Sequence, residues 1–154
     1  MGMGITIHTD IQGAADVAKF LNEIGHTRAR RALLRGMKKG AVPVLAAIVD
    51  RVPTADTGKI YNKRWHERGT LKRSLQIATK RGRVGTDEAS VRVGPDWTLG
   101  FYAHFVEYGT VHSAANSFMR DGQAASQDKA VDEAGIVMGR ATKRWNMRKA
   151  RAAA

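Results

Sequence analysis

Three residues whose side chains bind metals or transfer protons fall close together at positions 104–112. His104 and Glu107 lie three residues apart, on one face of a helical turn, and His112 follows five residues later. A metal site needs three or four ligands in fixed geometry, and Gly109 separates His112 from the other two side chains. We therefore expect no metal here, and expect His104 and Glu107 to serve packing and pairing.

The familiar catalytic motifs are missing from the rest of the chain. There is no phosphate-binding glycine loop, no dinucleotide-binding glycine pattern and no zinc-protease motif. Cysteine is absent, which excludes disulfides and thiolate chemistry. No carboxylates or histidines show the pairing needed for acid–base catalysis. The sequence predicts a protein that is not an enzyme and has no cofactor.

The stretch Phe101–Thr110 is the densest aromatic run in the chain. Tyr102 and Phe105 share one face of a predicted short helix at 101–108, and Glu107 is its one acid. Gly109 is a typical helix end, and the Thr110 hydroxyl can bond to nearby backbone. These residue types fit a packed corner of the core and equally a functional segment.

Composition predicts one globular domain with a strong positive charge. The chain has 154 residues, 43% hydrophobic and 26% charged, with a net charge of +12. No apolar run is long enough to span a membrane, so we expect no membrane partner. We assign residues 1–148 to the domain and 149–154 to a frayed basic tail. No acid occurs between Glu23 and Asp50 or after Glu133, which raises nucleic acid or an acidic protein surface as a partner.

The N-terminal third is predicted to be helical after a short strand at 4–8. Residues 9–12 match a capping box, and the helix that follows should end at Gly25. A longer helix is expected at 27–50. Pro43 within it removes one backbone hydrogen bond, which predicts a kink or break there.

Residues 52–58 predict a turn, and we expect an extended loop at 59–73 after it. Tyr61 and Trp65 lie among cations in this loop, so it is either an exposed loop or an arm that binds nucleic acid. Alternating apolar residues then predict strands at 74–79, 84–86 and 90–93.

The last element is a helix predicted at about 123–148. Its apolar residues recur at intervals of 3, 4, 3 and 4, the spacing of a helix that lies in a groove or against a partner; they are Val131, Ala134, Met138, Ala141 and Trp145. The fold class is α+β, with N-terminal helices, a small antiparallel sheet of three to four strands, the short helix at 101–108 and this long C-terminal helix.

Five short motifs in order resemble the tail-completion, or neck, proteins of long-tailed bacteriophages. They are Val52-Pro53 with Asp56-Thr57-Gly58, then Leu71-Lys72-Arg73-Ser74-Leu75, Val93-Gly94-Pro95, Tyr102 to Thr110, and Phe118-Met119-Arg120. Two features depart from the family pattern. About a dozen residues, 59–70, intervene between the first two motifs, and Ser117 and Asp121 replace prolines that flank the last one.

The resemblance implies an α+β structural protein of the virion that forms a ring, of about six subunits, between head and tail. It implies assembly in the host cytoplasm, contacts with other neck, tail-tube or head-closure proteins, and a channel through which DNA passes without sequence recognition. Glu107 is expected to pair with an Arg or Lys within the subunit or across an interface. The candidate interface residues are Thr57, Gly58, Tyr61, Trp65, Tyr102, Phe105, Glu107, Gly109, Thr110, Phe118, Met119, Arg120 and Trp145.

Two alternatives remain open from the sequence. One is a tail terminator or head-closure protein of the same neck. The other, from a different class, is a stand-alone basic protein that binds nucleic acid, whose affinity would fall steeply with salt.

Overall fold

A computed structural model of the chain describes residues 14–54, 59–61, 64–80 and 89–153. The helices are α1 (Ala14–Glu23), α2 (His26–Arg51), α3 (Thr70–Ser74), α4 (Trp97–Gly100), α5 (Ala103–Tyr108) and α6 (Phe118–Ala152). The strands are β1 (Lys59–Tyr61), β2 (Arg64–His66), β3 (Leu75–Lys80) and β4 (Ser90–Pro95). The predicted α+β class is confirmed. No helix within these ranges has the length and apolar character that a membrane crossing requires.

Helices α2 and α6 form the main packing layer of the domain. Val44 and Ile48 of α2 and Phe118 and Met119 of α6 are almost completely buried and belong to one hydrophobic cluster. Ala130 and Met138 are the next buried apolar residues along α6. Of the residues in the predicted 3–4 pattern, Met138 is buried and Ala134 lies against Gly40 of α2, whereas Trp145 packs on Phe20 of α1.

The two helices approach closely where small residues face each other. A Cβ atom added at Gly40 would lie 2.5 Å from the carbonyl oxygen of Ala130, and one added at Gly122 would lie 2.9 Å from the backbone nitrogen of Ile48. Backbone atoms cannot move aside as a flexible side chain can. Gly40, which weakens the helix prediction by propensity alone, is thus required by the packing.

The β3–β4 hairpin covers one side of α2. Its antiparallel register pairs Ile77 with Val93 and Leu75 with Pro95. Leu75 and Val93 are buried, and Ile77 packs partly buried against the same cluster. Both strands were predicted from apolar alternation, and both are confirmed.

The prediction of one sheet with three to four strands was wrong in its arrangement. The described strands form two separate two-stranded sheets, β1–β2 and β3–β4. Likewise 59–73 is no continuous loop, because β1 pairs with β2 and α3 follows at Thr70–Ser74. Two strands of three residues, separated by two residues in sequence, satisfy their backbone groups by pairing with each other. Such a short pair can form without an alternating apolar pattern in the sequence. The strands predicted at 4–8 and 84–86, and the capping box at 9–12, lie outside the described residues.

Both long helices are longer than the sequence predicts. α2 continues through Pro43 without a break, with Ala41 and Val44 buried on either side, so packing outweighs the lost hydrogen bond. α6 runs from Phe118 to Ala152, which makes residues 149–152 helical instead of a frayed tail. The Lys149 Nζ atom lies 2.7 Å from Glu23 Oε2 and 5.0 Å from the Trp145 ring, which ties this end to α1.

The close helix contact predicts opposite effects for two glycines. Gly40→Ala places a methyl group against backbone and should destabilise the fold by roughly 1–3 kcal/mol. A Cβ atom added at Gly139 would have no neighbour within 4 Å, so Gly139→Ala should stabilise by about 0.5–1 kcal/mol through helix propensity. Urea unfolding of the two variants checks this, and equal effects of the same sign would contradict the packing.

Candidate assembly surface

The corner at residues 96–109 consists of two short helices with well-defined ends. The Asp96 carboxylate caps α4 by accepting hydrogen bonds from the backbone N–H groups of Thr98, at 2.9 Å, and Leu99, at 3.4 Å. The α5 helix ends at Tyr108, and Gly109 follows with φ 76°. The predicted helix end at Gly109 is therefore confirmed.

Glu107 lies at the centre of this corner, with a side chain that is 1% exposed. Its carboxylate accepts hydrogen bonds from the backbone N–H groups of Met119, at 2.9 Å, and Arg120, at 3.2 Å. It also accepts one from the Nε atom of Arg120, at 2.9 Å. The expected pairing of Glu107 with a cation is confirmed, and the partner lies in the same subunit.

The two backbone contacts make Glu107 the cap of helix α6. The N-cap residue, Ser117, makes no side-chain hydrogen bond to the helix N-terminus; its hydroxyl donates to Asp121 Oδ2 at 2.7 Å instead. The first N–H groups of a helix need acceptors and favour a negative charge. The Glu107 carboxylate, twelve residues before Met119, therefore caps α6 in place of a side chain at the N-cap position, and this contact joins α5 to α6.

The loop that joins α5 to α6 is held by its own backbone. Thr110 and Ser113 exchange two backbone hydrogen bonds, and the Thr110 hydroxyl accepts one from His112 N–H at 3.2 Å. Asn116 N–H donates to the Val106 carbonyl at 2.8 Å. A side chain at Gly109 would meet Ser113 O at 2.8 Å and would be strained by the positive φ. The loop therefore requires glycine at this position.

Large aromatic side chains of α4 and α5 are exposed at this corner. Trp97 is 70% exposed, Tyr108 59% and Phe105 44%. The Arg120 guanidinium lies 5.1 Å from the centre of the Tyr108 ring. Trp97 and Tyr108 border a cavity of about 540 Å³, whose other walls come from β3, β4 and residues 100–104. We call Trp97, Phe105 and Tyr108, together with Leu99, which is 49% exposed, the aromatic corner.

A comparison with known protein families identifies the family of this chain. Residues 15–109 match the profile of a family described as "Bacteriophage HK97-gp10, putative tail-component". The match covers more than half of the chain, from α1 to the glycine that ends α5. The chain belongs to this family. It is therefore a bacteriophage tail-component protein, as the resemblance in its motifs indicated, and a component of the virion.

No curated protein matches the sequence significantly, and no solved structure does so either. The family match ends at Gly109, just before the loop to α6. The contacts of Glu107 with Met119 and Arg120 thus join the matched part of this tail component to the remaining helix.

The predicted interface residues of this tail component fall into different environments. Phe118 and Met119 are 1% and 2% exposed, so they belong to the subunit's own core and face no partner. Trp145 packs edge-on against Phe20, with ring centres 5.7 Å apart. Tyr102 packs partly buried against the core, whereas Phe105 is exposed.

Four further candidates lie in or near the turn and the first hairpin. Thr57 and Gly58 lie outside the described residues. Tyr61 and Trp65 occupy paired strands, where Ile60 is the partner of Trp65 and Arg64 that of Tyr61. Their role in an interface stays a prediction.

His104 forms a local contact, with its Nδ1 atom 2.7 Å from the carbonyl oxygen of Phe101. Within the described ranges, no group of three or more His, Asp or Glu side chains has the arrangement of a metal site. Sequence reasoning missed Trp97 and Tyr108 as surface residues. The Pro95-Asp96 pair was a usable signal for the helix start at Trp97, because Asp is a preferred N-cap residue, but a cap does not determine which side chains of the helix are exposed.

We predict that Glu107 contributes more to stability than its ion-pair partner does. Glu107→Ala leaves two backbone donors without their acceptor and removes a helix cap, which should cost roughly 2–4 kcal/mol. Arg120→Ala should cost less than about 1 kcal/mol, since its side chain is 57% exposed. Chemical denaturation of both variants measures the difference. Equal losses would show that the ion pair, and not the cap, holds α5 to α6.

Proposed function

We propose that this tail component is a structural subunit of the phage neck. In this role it completes the tail and joins it to the head as a ring around the DNA channel, without catalysing a reaction. Membership of a tail-component family supports the setting, and the five motifs shared with tail-completion proteins support the position within it.

The aromatic corner is the observation that carries the assembly role. Trp97 and Tyr108 are more than half exposed although they are large apolar residues. The two side chains also line one concave surface together, and exposed apolar patches mark sites of protein–protein interaction. The corner is also rigid, because Glu107 fixes α5 against α6 and Asp96 caps α4. A rigid apolar surface can bind a neighbouring ring subunit, the tail tube or a head-closure protein with little ordering cost.

The proposed binding partners are further copies of the chain, which form a ring of about six subunits, and neighbouring neck proteins. DNA passes through the ring without sequence recognition. The protein assembles in the host cytoplasm and ends in the virion. A tail terminator or head-closure role would use the same surface at a neighbouring level of the neck.

A rescue experiment tests the role in assembly. In a phage whose copy of this gene carries an early stop codon, we expect unjoined heads and tails in electron micrographs of the lysate. Purified protein added to that lysate should restore joined, infectious particles. Joined and infectious particles formed without the protein would contradict the proposal.

We predict that loss of the aromatic corner prevents assembly without unfolding the subunit. The free energy of unfolding of the variant Trp97→Ala/Tyr108→Ala should differ from that of the parent by no more than about 0.5 kcal/mol per substituted site. The variant should nevertheless fail to restore joined particles in the lysate. Val42→Ala is the matched control, because Val42 is 51% exposed on α2, and it should rescue normally. Full rescue by the double variant would place the interface elsewhere. Glu107 is unsuitable for this test, since its buried side chain supports the fold itself.

A further inference from the structure

A second concave surface lies between α1, the first half of α2 and the second half of α6. Its volume is about 430 Å³. Its floor is apolar and includes Phe20, Ile24 and Trp145. Its walls carry five arginines, Arg28, Arg31, Arg35, Arg144 and Arg148. We call this surface the arginine groove.

The arginines of the groove form no ion pair with an acidic side chain of the described residues. No acidic residue lines the groove. The ion pairs of the described residues involve Arg73, Arg120 and Lys149, and none of the five groove arginines. All five are exposed. Arginine pairs with carboxylates and phosphates in a two-pronged geometry, so the groove is suited to a partner that carries several acidic groups.

The aromatic floor favours a protein partner over a single-stranded nucleic acid. Bases bind by stacking on open aromatic faces. Phe20 is only 5% exposed, its ring meets Trp145 edge-on, and Lys149 Nζ lies over the Trp145 ring at 5.0 Å. Neither ring offers a free stacking platform. An apolar floor with arginine walls instead matches a segment that carries carboxylates beside an apolar side chain.

The first half of α6 is such a segment. Asp121, Asp128 and Asp132 are exposed and follow at intervals of seven and four residues, which places them on one face of the helix. Asp128 and Asp132 form no ion pair with a described residue. Ile136, four residues after Asp132, is 48% exposed. Helix α6 is therefore acidic at one end and basic at the other.

The acidic end of α6 cannot reach the groove of its own subunit. Asp128 and Arg144 lie sixteen residues apart on one helix, which at 1.5 Å per residue is about 24 Å. The acids and the groove arginines nevertheless share the same spacing of four residues along their helices. Asp128 and Asp132 are about 6 Å apart along the axis, as are Arg31 and Arg35, and Arg144 and Arg148.

We propose that the arginine groove of one subunit binds the acidic half of α6 of a second copy of this chain. This contact rests on the proposed assembly role, and it identifies the two surfaces through which neighbouring copies of the chain bind each other. One surface of a subunit meets a different surface of the next, the type of contact that closes into a ring. Paired charges fix the register of the two copies and exclude like-charged arrangements.

Charge reversal with complementation tests this pairing. A groove variant, Arg31→Glu/Arg35→Glu, and a stripe variant, Asp128→Lys/Asp132→Lys, should each self-associate about tenfold or more weakly than the parent at low salt. An equimolar mixture should restore association, because each reversed surface then meets its complement. Light scattering gives the molar mass and electron microscopy the shape. The control Arg68→Glu/Lys72→Glu reverses two exposed cations outside the groove and should associate normally.

Three results would overturn the inference. One is a parent protein that stays monomeric at low salt, and another is two folded variants that associate like the parent. The third is a mixture that stays dissociated although both variants are folded by circular dichroism. If the groove variant instead loses binding to duplex DNA while its molar mass is unchanged, the groove is a nucleic-acid surface.

The outcomes also separate this inference from the proposed function. A mixture that restores a closed dimer instead of a ring supports the pairing and contradicts the ring. Rescue of joined particles by both charge-reversed variants supports the neck role and contradicts the pairing.

Discussion

A single buried carboxylate determines how the two parts of this protein fit together. Glu107, at the end of α5, accepts hydrogen bonds from the first turn of α6 and from the Arg120 side chain. A helix N-terminus carries unsatisfied donors and a partial positive charge, so the carboxylate is stabilised there despite its burial. The start of α6, and with it the position of Phe118 and Met119 in the core, depends on this contact.

The same contact joins two of the motifs that resemble tail-completion proteins. The Tyr102–Thr110 motif supplies the acid and the glycine, and Phe118-Met119-Arg120 supplies two donors, two core side chains and the guanidinium. The acceptor in the first motif and the donors in the second motif satisfy each other's hydrogen bonds. The loop between them closes through backbone hydrogen bonds, which explains how it keeps its geometry although Ser117 replaces a proline.

Helix α6 links this corner to the rest of the tail component and to its proposed neighbours. One face packs on α2, where Gly40 and Gly122 allow close approach. Its exposed surfaces carry acids towards the N-terminal end and arginines towards the C-terminal end. A long, rigid helix with separated charges cannot neutralise itself, since its ends stay far apart. The fold thus exposes an acidic surface and a basic surface, the two that meet in the proposed contact between copies, beside the apolar surface around Trp97.

The sequence by itself determined the elements whose patterns are local. Apolar periodicity gives α2 and α6, alternation gives β3 and β4, and Gly109 gives the end of α5, because each follows from neighbouring residues. The motifs also gave the phage family. The tertiary structure alone decided which side chains are buried and which surfaces form. It placed Phe118 in the core and made Glu107 a cap for a helix twelve residues away. Such contacts join distant parts of the chain, and local residue types do not specify their partners.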